Sequence, residues 1–338
     1  MISDKIRFAI IGYGHIGRQH AAFIAANSDC ELTGLCDCRP VAELGLEGSG
    51  IPFFSSEDDL LEQDFDVLCI TTPNGLHERH ALKALRRGRH VLIEKPMALT
   101  AAACSGILRE AEKQNKRVFC VMQNRYSAPS VWLKGLLEKK TLGSIYMVTI
   151  NCFWNRDERY YREGSWKGTE DLDGGTLFTQ FSHFIDSLLW LFGDITDIRA
   201  SFANFSHGGK IAFEDSGIVQ FNFTQGGMGC VNYTTSVWKE NLESSLTVIA
   251  EHGTVRICGQ YMDEIAICHI RDYVLPDLPG TSYRVAEDTG RKTPAHHAHI
   301  FENIVAVLRK GQHPDIDPRE ACKVVETIEN IYSRKTSV

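Results

Sequence analysis

The sequence lacks the signals typical of membrane, nucleic-acid-binding and disulfide-rich proteins. No stretch approaches the ~20 apolar residues of a membrane span, and the first apolar run, residues 8–11, is too short for a signal peptide. Basic residues (36) are fewer than acidic ones (43), which argues against a nucleic-acid partner. The 11 cysteines form no CxxC pair and many lie in apolar runs, so we expect reduced thiols, a cytoplasmic location and no metal site.

The 338 residues suffice for two cores, and the two halves differ in hydrophobic pattern. In the first half, short apolar runs alternate with helical stretches, which is typical of an α/β fold with a parallel sheet covered on both faces. Strands are predicted at 7–11, 31–37, 67–71, 90–94 and 117–121, with helices at 17–26, 76–87 and 101–114. We predict a doubly wound parallel domain over residues 1–124.

The second half, residues 125–338, is dominated by strands that alternate apolar and polar residues. This pattern predicts an α/β domain with a mostly antiparallel sheet, packed on one face. Its strands are predicted at 144–154, 197–205, 216–224, 227–237, 245–250, 254–258 and 264–270. Helices are predicted at 179–191, 294–308 and 319–332, the last two either in this domain or packed back on the first, and residues 271–294 are predicted to be an irregular loop.

A glycine-rich turn follows the first predicted strand and opens a helix. Gly12, Gly14 and Gly17 form a GxGxxG pattern, with His15 and Ile16 inside the turn. Such glycines permit a tight turn, close backbone approach to a pyrophosphate and close helix packing. The helix N-terminus then offers N–H groups to the phosphates. We therefore predict a Rossmann-type dinucleotide site here.

The second predicted strand ends at Asp37, 20 residues after Gly17. A carboxylate at this position accepts hydrogen bonds from ribose hydroxyls and repels a 2′-phosphate, so we predict NAD as the cofactor and disfavour NADP. The third strand leads to a TTPN segment at the sheet edge where a cofactor would lie, although a plain Pro-Asn turn is the alternative. The remaining predicted cofactor contacts are Thr72, Pro73, Asn74, His77, Glu94, Lys95 and Gln123.

Glu94 and Lys95 end the fourth predicted strand at the same edge. Partial burial lowers the pKa of a lysine and a nearby carboxylate raises it, so a balanced lysine can exchange a proton with a substrate hydroxyl. We predict that Lys95 is catalytic; a structural Glu–Lys pair is the alternative.

A polar stripe interrupts the apolar helix predicted at 179–191. Thr179, His183 and Asp186 stand at i, i+4 and i+7, hence on one face of an α-helix, after the glycines 174 and 175. We predict that His183 is catalytic, although a lone histidine there is usually a satisfied core residue. The tract His296-His297-Ala298-His299 is interpreted as a helix start, not a metal site.

These motifs together resemble the glucose–fructose oxidoreductase and inositol dehydrogenase (Gfo/Idh/MocA) family, through GYGHIG, TTPN, EKP and the GG-x₇-HxxD pattern ending at Asp186. The resemblance implies an NAD-dependent oxidoreductase acting on a sugar-type hydroxyl, with Lys95 and His183 flanking substrate and nicotinamide. It also implies a homodimer or homotetramer built through the C-terminal sheet. One position departs, because many members carry Asp where this chain has Thr179, which does not ionise.

Further segments resemble the branch of this family that oxidises UDP-N-acetylglucosaminuronate at C3: QNR at 123–125, SWKG at 165–168, NLESSLT at 241–247 and GTV at 253–255. Fixed cations would suit an anionic nucleotide sugar. The predicted substrate contacts are Lys95, Arg125, Tyr126, Lys167, Thr179, Gln180 and His183. A free-sugar or inositol-type polyol dehydrogenase is the first alternative, and a non-catalytic NAD-binding regulator is the second.

Overall fold

The computed structural model describes residues 5–278 and 296–337. These residues fall into two compact units, one of 5–122 with 297–325 and one of 123–278 with 326–337. The irregular loop predicted at 271–294 is described only as far as residue 278, where the chain is indeed irregular, and its remainder lies outside the described residues. Within these ranges, no helix has both the length and the apolar character needed to cross a bilayer.

The first unit is built on a parallel sheet. Its strands are β1 (Ile6–Ile11), β2 (Cys30–Cys36), β3 (Phe53–Phe54), β4 (Val67–Ile70), β5 (His90–Ile93) and β6 (Val118–Cys120). They form six parallel strands in the order β3-β2-β1-β4-β5-β6. The order reverses between β1 and β4, and doubly wound sheets bind ligands beyond the carboxyl ends of the strands at such a point. The predicted Rossmann-type class is confirmed.

The helices follow the predicted pattern, with additions. They are α1 (His15–Ala26), α2 (Val41–Leu44), α3 (Glu57–Leu61), α4 (His77–Arg86), α5 (Ala101–Lys113), α6 (Ala128–Glu138), α7 (Ser182–Phe192), α8 (His296–Lys310) and α9 (Pro318–Ser333). In the first unit, Phe301 of α8 packs edge-on against Phe8 of β1 and His20 of α1, with ring centroids 5.5 and 5.4 Å apart. Residues distant in sequence therefore complete the core of this unit.

The second unit contains an eight-stranded sheet in the order β13-β12-β11-β7-β10-β9-β8-β14. Its strands are β7 (Ile145–Phe153), β8 (Ile195–Ala203), β9 (Ser216–Phe223), β10 (Met228–Thr234), β11 (Glu243–Ala250), β12 (Gly253–Cys258), β13 (Glu264–Ile270) and β14 (Lys335–Ser337). The pairs β7–β10 and β8–β14 are parallel and the others antiparallel. The predicted mostly antiparallel sheet is confirmed.

The helix predicted at 179–191 is not α-helical throughout. A π-helical turn, Leu177–Phe181, precedes α7. The prediction that Thr179 shares one α-helical face with His183 and Asp186 is therefore wrong, because a π turn holds more residues per turn. The apolar spacing that suggested a continuous helix does not distinguish the two kinds of turn.

Candidate functional site

The turn between β1 and α1 depends on glycine at two positions. Gly12 has a φ of 92°, and a Cβ there would stand 2.8 Å from the backbone of Thr71. A Cβ on Gly17 would collide with the carbonyl oxygen of Gly12. The Thr71 hydroxyl donates to that same carbonyl at 2.6 Å, which ties the end of β4 to the turn. Only glycine fits this geometry at positions 12 and 17.

The turn has the open space that a pyrophosphate requires. Gly14 is the N-cap of α1, and nothing lies within 4 Å of the position that its Cβ would occupy. The first turn of α1 contains no acidic residue, so its positive dipole end is not neutralised by a side chain of that turn. His15 is exposed there, Ile16 is half-buried, and a ring nitrogen of His15 lies 3.0 Å from the Gln19 amide. The residues present therefore fit a dinucleotide.

Asp37 lies just beyond β2 with its carboxylate already engaged. Oδ2 accepts the Tyr13 N–H at 2.7 Å, and the Arg39 guanidinium donates to both oxygens at 2.9 and 2.8 Å. Burial acts to raise the pKa of Asp37, but the hydrogen bonds from Arg39 and Tyr13 lower it below its usual value. Asp37 is therefore an anion held beside the glycine turn. The sequence analysis did not predict its partner, the cation Arg39.

The TTPN segment contains buried polar groups. The Thr72 hydroxyl is buried and has no hydrogen-bond partner among the described residues. Pro73 leads into a 3₁₀ turn whose first residue, Asn74, is buried. The ring nitrogens of His77 lie 2.8 Å from the Pro96 carbonyl and 2.9 Å from that of Thr72. Because burial lowers the pKa of His77, the neutral ring donates to one of them. His77 therefore holds the loop in place, and its contact with the cofactor stays a prediction.

Glu94 is held in a buried network of the first unit. Its Oε1 lies 2.8 Å from His20 Nε2 and 4.0 Å from His297 Nε2. Burial acts to raise the pKa of Glu94, but the hydrogen bond from His20 and the nearby His297 and Lys95 lower it well below its usual range. Glu94 is therefore an anion. Lys95 follows it directly and is half-buried, and its N–H donates to Glu94 Oε2 at 3.3 Å.

His20, Glu94 and His297 have potential metal-ligand atoms within 4.8 Å of one another, although no metal was predicted here. We interpret the group as a hydrogen-bonded network, because His20 is already bonded to Glu94 and aromatic rings enclose it. His297 stacks on Phe23, with centroids 5.8 Å apart. The predicted helix start at the histidine tract is confirmed, since α8 begins at His296.

In the second unit, His183 lies near the start of α7 and is buried. Its ring is 5.8 Å from that of Trp154 and 4.4 Å from that of Phe184. The Arg156 guanidinium carbon lies 4.7 Å from the centroid of the same Trp154 ring. An imidazole, an indole and a guanidinium therefore lie side by side.

A second cation joins this group through Tyr160. Lys167 Nζ lies 3.7 Å from the Tyr160 ring centroid, and the Arg156 guanidinium carbon lies 5.2 Å from it. Gln180 Nε2 donates to the Tyr160 hydroxyl at 2.5 Å, and Gln180 Oε1 accepts from Arg156 Nε at 2.6 Å. Burial and the charge of Arg156 lower the pKa of Lys167. We call Trp154, Arg156, Tyr160, Lys167, Gln180 and His183 the cation cluster.

Thr179 is bonded to a carboxylate that the sequence analysis did not single out. Its hydroxyl contacts Asp173 Oδ1 and lies 3.0 Å from the Asp173 carbonyl oxygen. Asp173 is 1% exposed, and burial raises its pKa to about 6, against the opposing effects of Thr179, the Gly168 N–H and Lys167. Thr179 does not ionise, but it is hydrogen-bonded to a carboxyl group, that of Asp173, which does.

Arg125, a predicted substrate contact, is part of a buried ion pair. Its Nε donates to Asp186 Oδ2 at 3.0 Å and its Nη2 to Oδ1 at 2.5 Å, and both side chains are buried. A buried bidentate pair of this kind costs several kcal/mol to break, so the pair with Asp186 stabilises this unit, and the substrate contact of Arg125 stays a prediction. Gln123 is buried and Tyr126 is half-buried in the 3₁₀ turn that precedes α6.

In the second unit, sequence reasoning missed Arg156, Tyr160 and Asp173. A signal for two of them was present, since Trp154, Arg156, Tyr160 and Tyr161 form a dense aromatic and cationic segment. No spacing rule connects Asp173 to Lys167, which is contributed by the preceding loop.

Comparison with solved structures gives matches over nearly the whole chain. The WlbA dehydrogenase of Bordetella pertussis, solved with NADH and UDP-GlcNAcA, is 33% identical, with a TM-score of 0.86 over 98% of this chain and 96% of that one. The WlbA dehydrogenase of Chromobacterium violaceum, solved with the same two ligands, is 31% identical, with a TM-score of 0.86 over 99% and 94%.

Curated relatives match over a shorter region. Glucose-6-phosphate 3-dehydrogenase of Bacillus subtilis is 30% identical over 55% of this chain and 53% of its own length. D-glucoside 3-dehydrogenase of Escherichia coli is 28% identical over 57% and 56%. The match thus spans about half the length of these relatives. Residues 6–122 match the model of an oxidoreductase family with an NAD-binding Rossmann fold, and residues 131–256 match the C-terminal domain of the same family. The chain belongs to the Gfo/Idh/MocA family of NAD-binding oxidoreductases.

Proposed function

We propose that this protein is an NAD-dependent dehydrogenase that oxidises a ring hydroxyl of an anionic nucleotide sugar of the UDP-N-acetylhexosaminuronate kind. The observation that carries the proposal is the cation cluster, in which Arg156 and Lys167 both lie against Tyr160. A carboxylate or diphosphate forms ion pairs with such groups in addition to hydrogen bonds, whereas a neutral sugar gains only the hydrogen bonds. The similarity to WlbA proteins solved with UDP-GlcNAcA supports the same substrate class.

The roles of the chain's own residues follow from their chemistry. The glycine turn would hold the pyrophosphate, Asp37 the adenosine ribose, and Thr72 and Asn74 the nicotinamide half. The nicotinamide, when bound, accepts hydride from the carbon that bears the hydroxyl. Lys95 and His183 are the proposed groups that receive the hydroxyl proton, because each carries nitrogen able to exchange protons near neutral pH in a suitable environment. Glu94 stays ionised and keeps a negative charge next to Lys95.

A substrate panel tests the proposed function. UDP-sugars with and without a carboxylate, free hexoses and inositols would be offered with NAD while NADH absorbance is recorded. Bound cofactor would be removed and identified first, because tightly held NADH would mask turnover. Turnover of UDP-uronates with kcat/KM above that of every neutral sugar is expected, and turnover confined to inositols or free hexoses would overturn the nucleotide-sugar assignment.

Lys167→Met should raise the KM for a UDP-uronate by roughly 10- to 100-fold, because a charge-assisted hydrogen bond is worth about 1.5–3 kcal/mol. The KM for the matching neutral UDP-hexose should change much less. Steady-state kinetics on the two substrates measures the difference. Lys210→Met, at an exposed lysine of the same unit, is the matched control.

A free-sugar or polyol dehydrogenase remains the second candidate, favoured by the curated relatives, which include an inositol 2-dehydrogenase. Such substrates need fewer fixed cations. Under this alternative, Lys167→Met leaves the KM for the free sugar or polyol unchanged. Steady-state kinetics of the same variant therefore separates the two candidates.

NAD preference is proposed to depend on Asp37. Asp37→Ser removes the carboxylate that would repel a 2′-phosphate and releases Arg39 to bind it. The ratio of kcat/KM for NADP to that for NAD should rise at least about tenfold, since a like-charge contact costs several kcal/mol. Kinetics with both cofactors checks this. Glu31→Gln, at an exposed position on β2, should leave the ratio unchanged.

Self-association through the second unit's sheet is proposed as well. Exposed Met147, Met228 and Ile249 lie on three adjacent strands, with Met147 paired to both of the others. Contiguous exposed apolar side chains of this kind are typical of protein interfaces. They support the expected homodimer or homotetramer.

A further inference from the structure

Asp173 joins two segments of the cation cluster. Its Oδ2 accepts the N–H of Gly168 at 2.7 Å, directly after Lys167, and its Oδ1 contacts the hydroxyl of Thr179, directly before Gln180. Both Lys167 and Gln180 contact Tyr160. The carboxylate therefore connects two pieces of the chain: the backbone that carries Lys167 and the turn that carries Gln180.

Asp173 is also the group that favours the charged form of Lys167. Burial, Arg156 and Arg162 lower the pKa of Lys167, and Asp173 raises it. Tyr160, Tyr161 and Tyr332 are also coupled to Asp173, and burial raises the pKa of each. These tyrosines stay neutral near neutral pH, so the Asp173 carboxylate is the negative charge in this group that opposes Arg156 and Arg162 at Lys167.

We propose that Asp173 is a positioning residue that keeps Lys167 protonated and oriented to bind the anionic group of the substrate. The proposal rests on the proposed function and deepens it, because it assigns the pH range of substrate binding to a buried carboxylate. An ionised Asp173 stabilises the protonated form of Lys167. It thereby opposes burial and the guanidinium groups of Arg156 and Arg162, which favour the neutral form. Without that charge, Lys167 loses its proton at lower pH. The affinity for the anionic substrate then falls as the pH rises, and it begins to fall at a lower pH than in wild type.

NMR titration of Lys167 in the full-length protein tests the coupling without any substrate. The lysine side-chain signal is identified by its absence in Lys167→Arg. Asp173→Asn should lower the midpoint of this signal by about 1–3 pH units, as expected when an opposite charge is lost nearby. Asp215→Asn, which removes a buried carboxylate paired with His207, is the matched control and should leave the midpoint in place. Equal midpoints in wild type and Asp173→Asn would overturn the proposal.

The dissociation constant of UDP-GlcNAcA as a function of pH tests the consequence. In Asp173→Asn the alkaline weakening should begin at lower pH than in wild type. In Asp173→Asn combined with Lys167→Arg, tight binding should persist at alkaline pH, because arginine does not deprotonate in proteins. A loss of affinity that is equal at every pH and is not rescued by Lys167→Arg would make Asp173 a purely structural residue.

The reciprocal variant covers the case in which Asp173→Asn does not fold. Lys167→Met, at a half-buried position, should raise the titration midpoint of the Asp173 carboxyl carbon, because coupling between two sites is reciprocal. An unchanged midpoint would overturn the proposal. If wild type fails to bind UDP-GlcNAcA, the proposed substrate is wrong, whereas the two NMR titrations still decide whether Asp173 controls Lys167.

Discussion

Lys95→Met is expected to lower kcat/KM by about 100- to 10,000-fold, the usual contribution of a general acid–base group. Methionine keeps the length and apolar stem of the side chain but cannot exchange a proton. The dissociation constant for NADH should change by no more than about threefold, because the lost interaction belongs to the reacting centre. Steady-state kinetics and NADH fluorescence titration measure the two quantities.

Lys113→Met, at an exposed lysine in the last turn of α5, is the matched control for Lys95→Met and should retain wild-type kinetics. Full activity in Lys95→Met would remove Lys95 from the reaction. Parallel loss of turnover and of NADH affinity would instead assign Lys95 to cofactor binding, as its place beside Glu94 also permits.

His183→Asn should cause a loss of similar size, about 100- to 10,000-fold in kcat/KM, if the imidazole exchanges the substrate proton. Asparagine preserves a hydrogen-bonding group of similar reach but does not titrate near neutral pH. The pH profile of kcat/KM is the more informative measurement, because a limb due to His183 disappears in the variant. NADH affinity should stay near its wild-type value.

His252→Asn, at a histidine outside the cation cluster, controls for the loss of an imidazole in the same unit. A His183→Asn enzyme with normal kcat and an unchanged pH profile would reduce His183 to a packing role against Trp154 and Phe184. Loss of turnover in both single variants would also exclude the reading of this chain as a non-catalytic NAD-binding regulator.

The sequence predicted the parts of the fold that depend on local pattern. Strands such as β4 are continuous apolar runs buried along their whole length, which marks a parallel sheet. The alternation in β9 marks a sheet with one packed face. Very short strands escaped prediction, because β3 has 2 residues and β14 has 3, too few for any periodicity to show.

The site was predictable where a motif carries its own geometry, as in the glycine turn, and not where the geometry joins distant residues. The partner of Arg125 lies 61 positions away, so nothing local distinguished a substrate-binding cation from half of a buried pair. Asp173 is close to Lys167 in the sequence, but its relation to that lysine depends on how a loop folds. The π turn before α7 also changed the position of Thr179 relative to His183, which an assumed α-helical spacing cannot anticipate.

The first unit is not continuous along the chain, and this has a consequence for the order of folding. Residues 297–325 complete it, and Phe301 of that segment packs on Phe8 and His20. During synthesis, strands β7 to β13 of the second unit leave the ribosome before this helical segment does. The apolar surface of β1 and α1 that Phe301 later covers therefore stays exposed during this time. Chaperones bind intermediates of this kind.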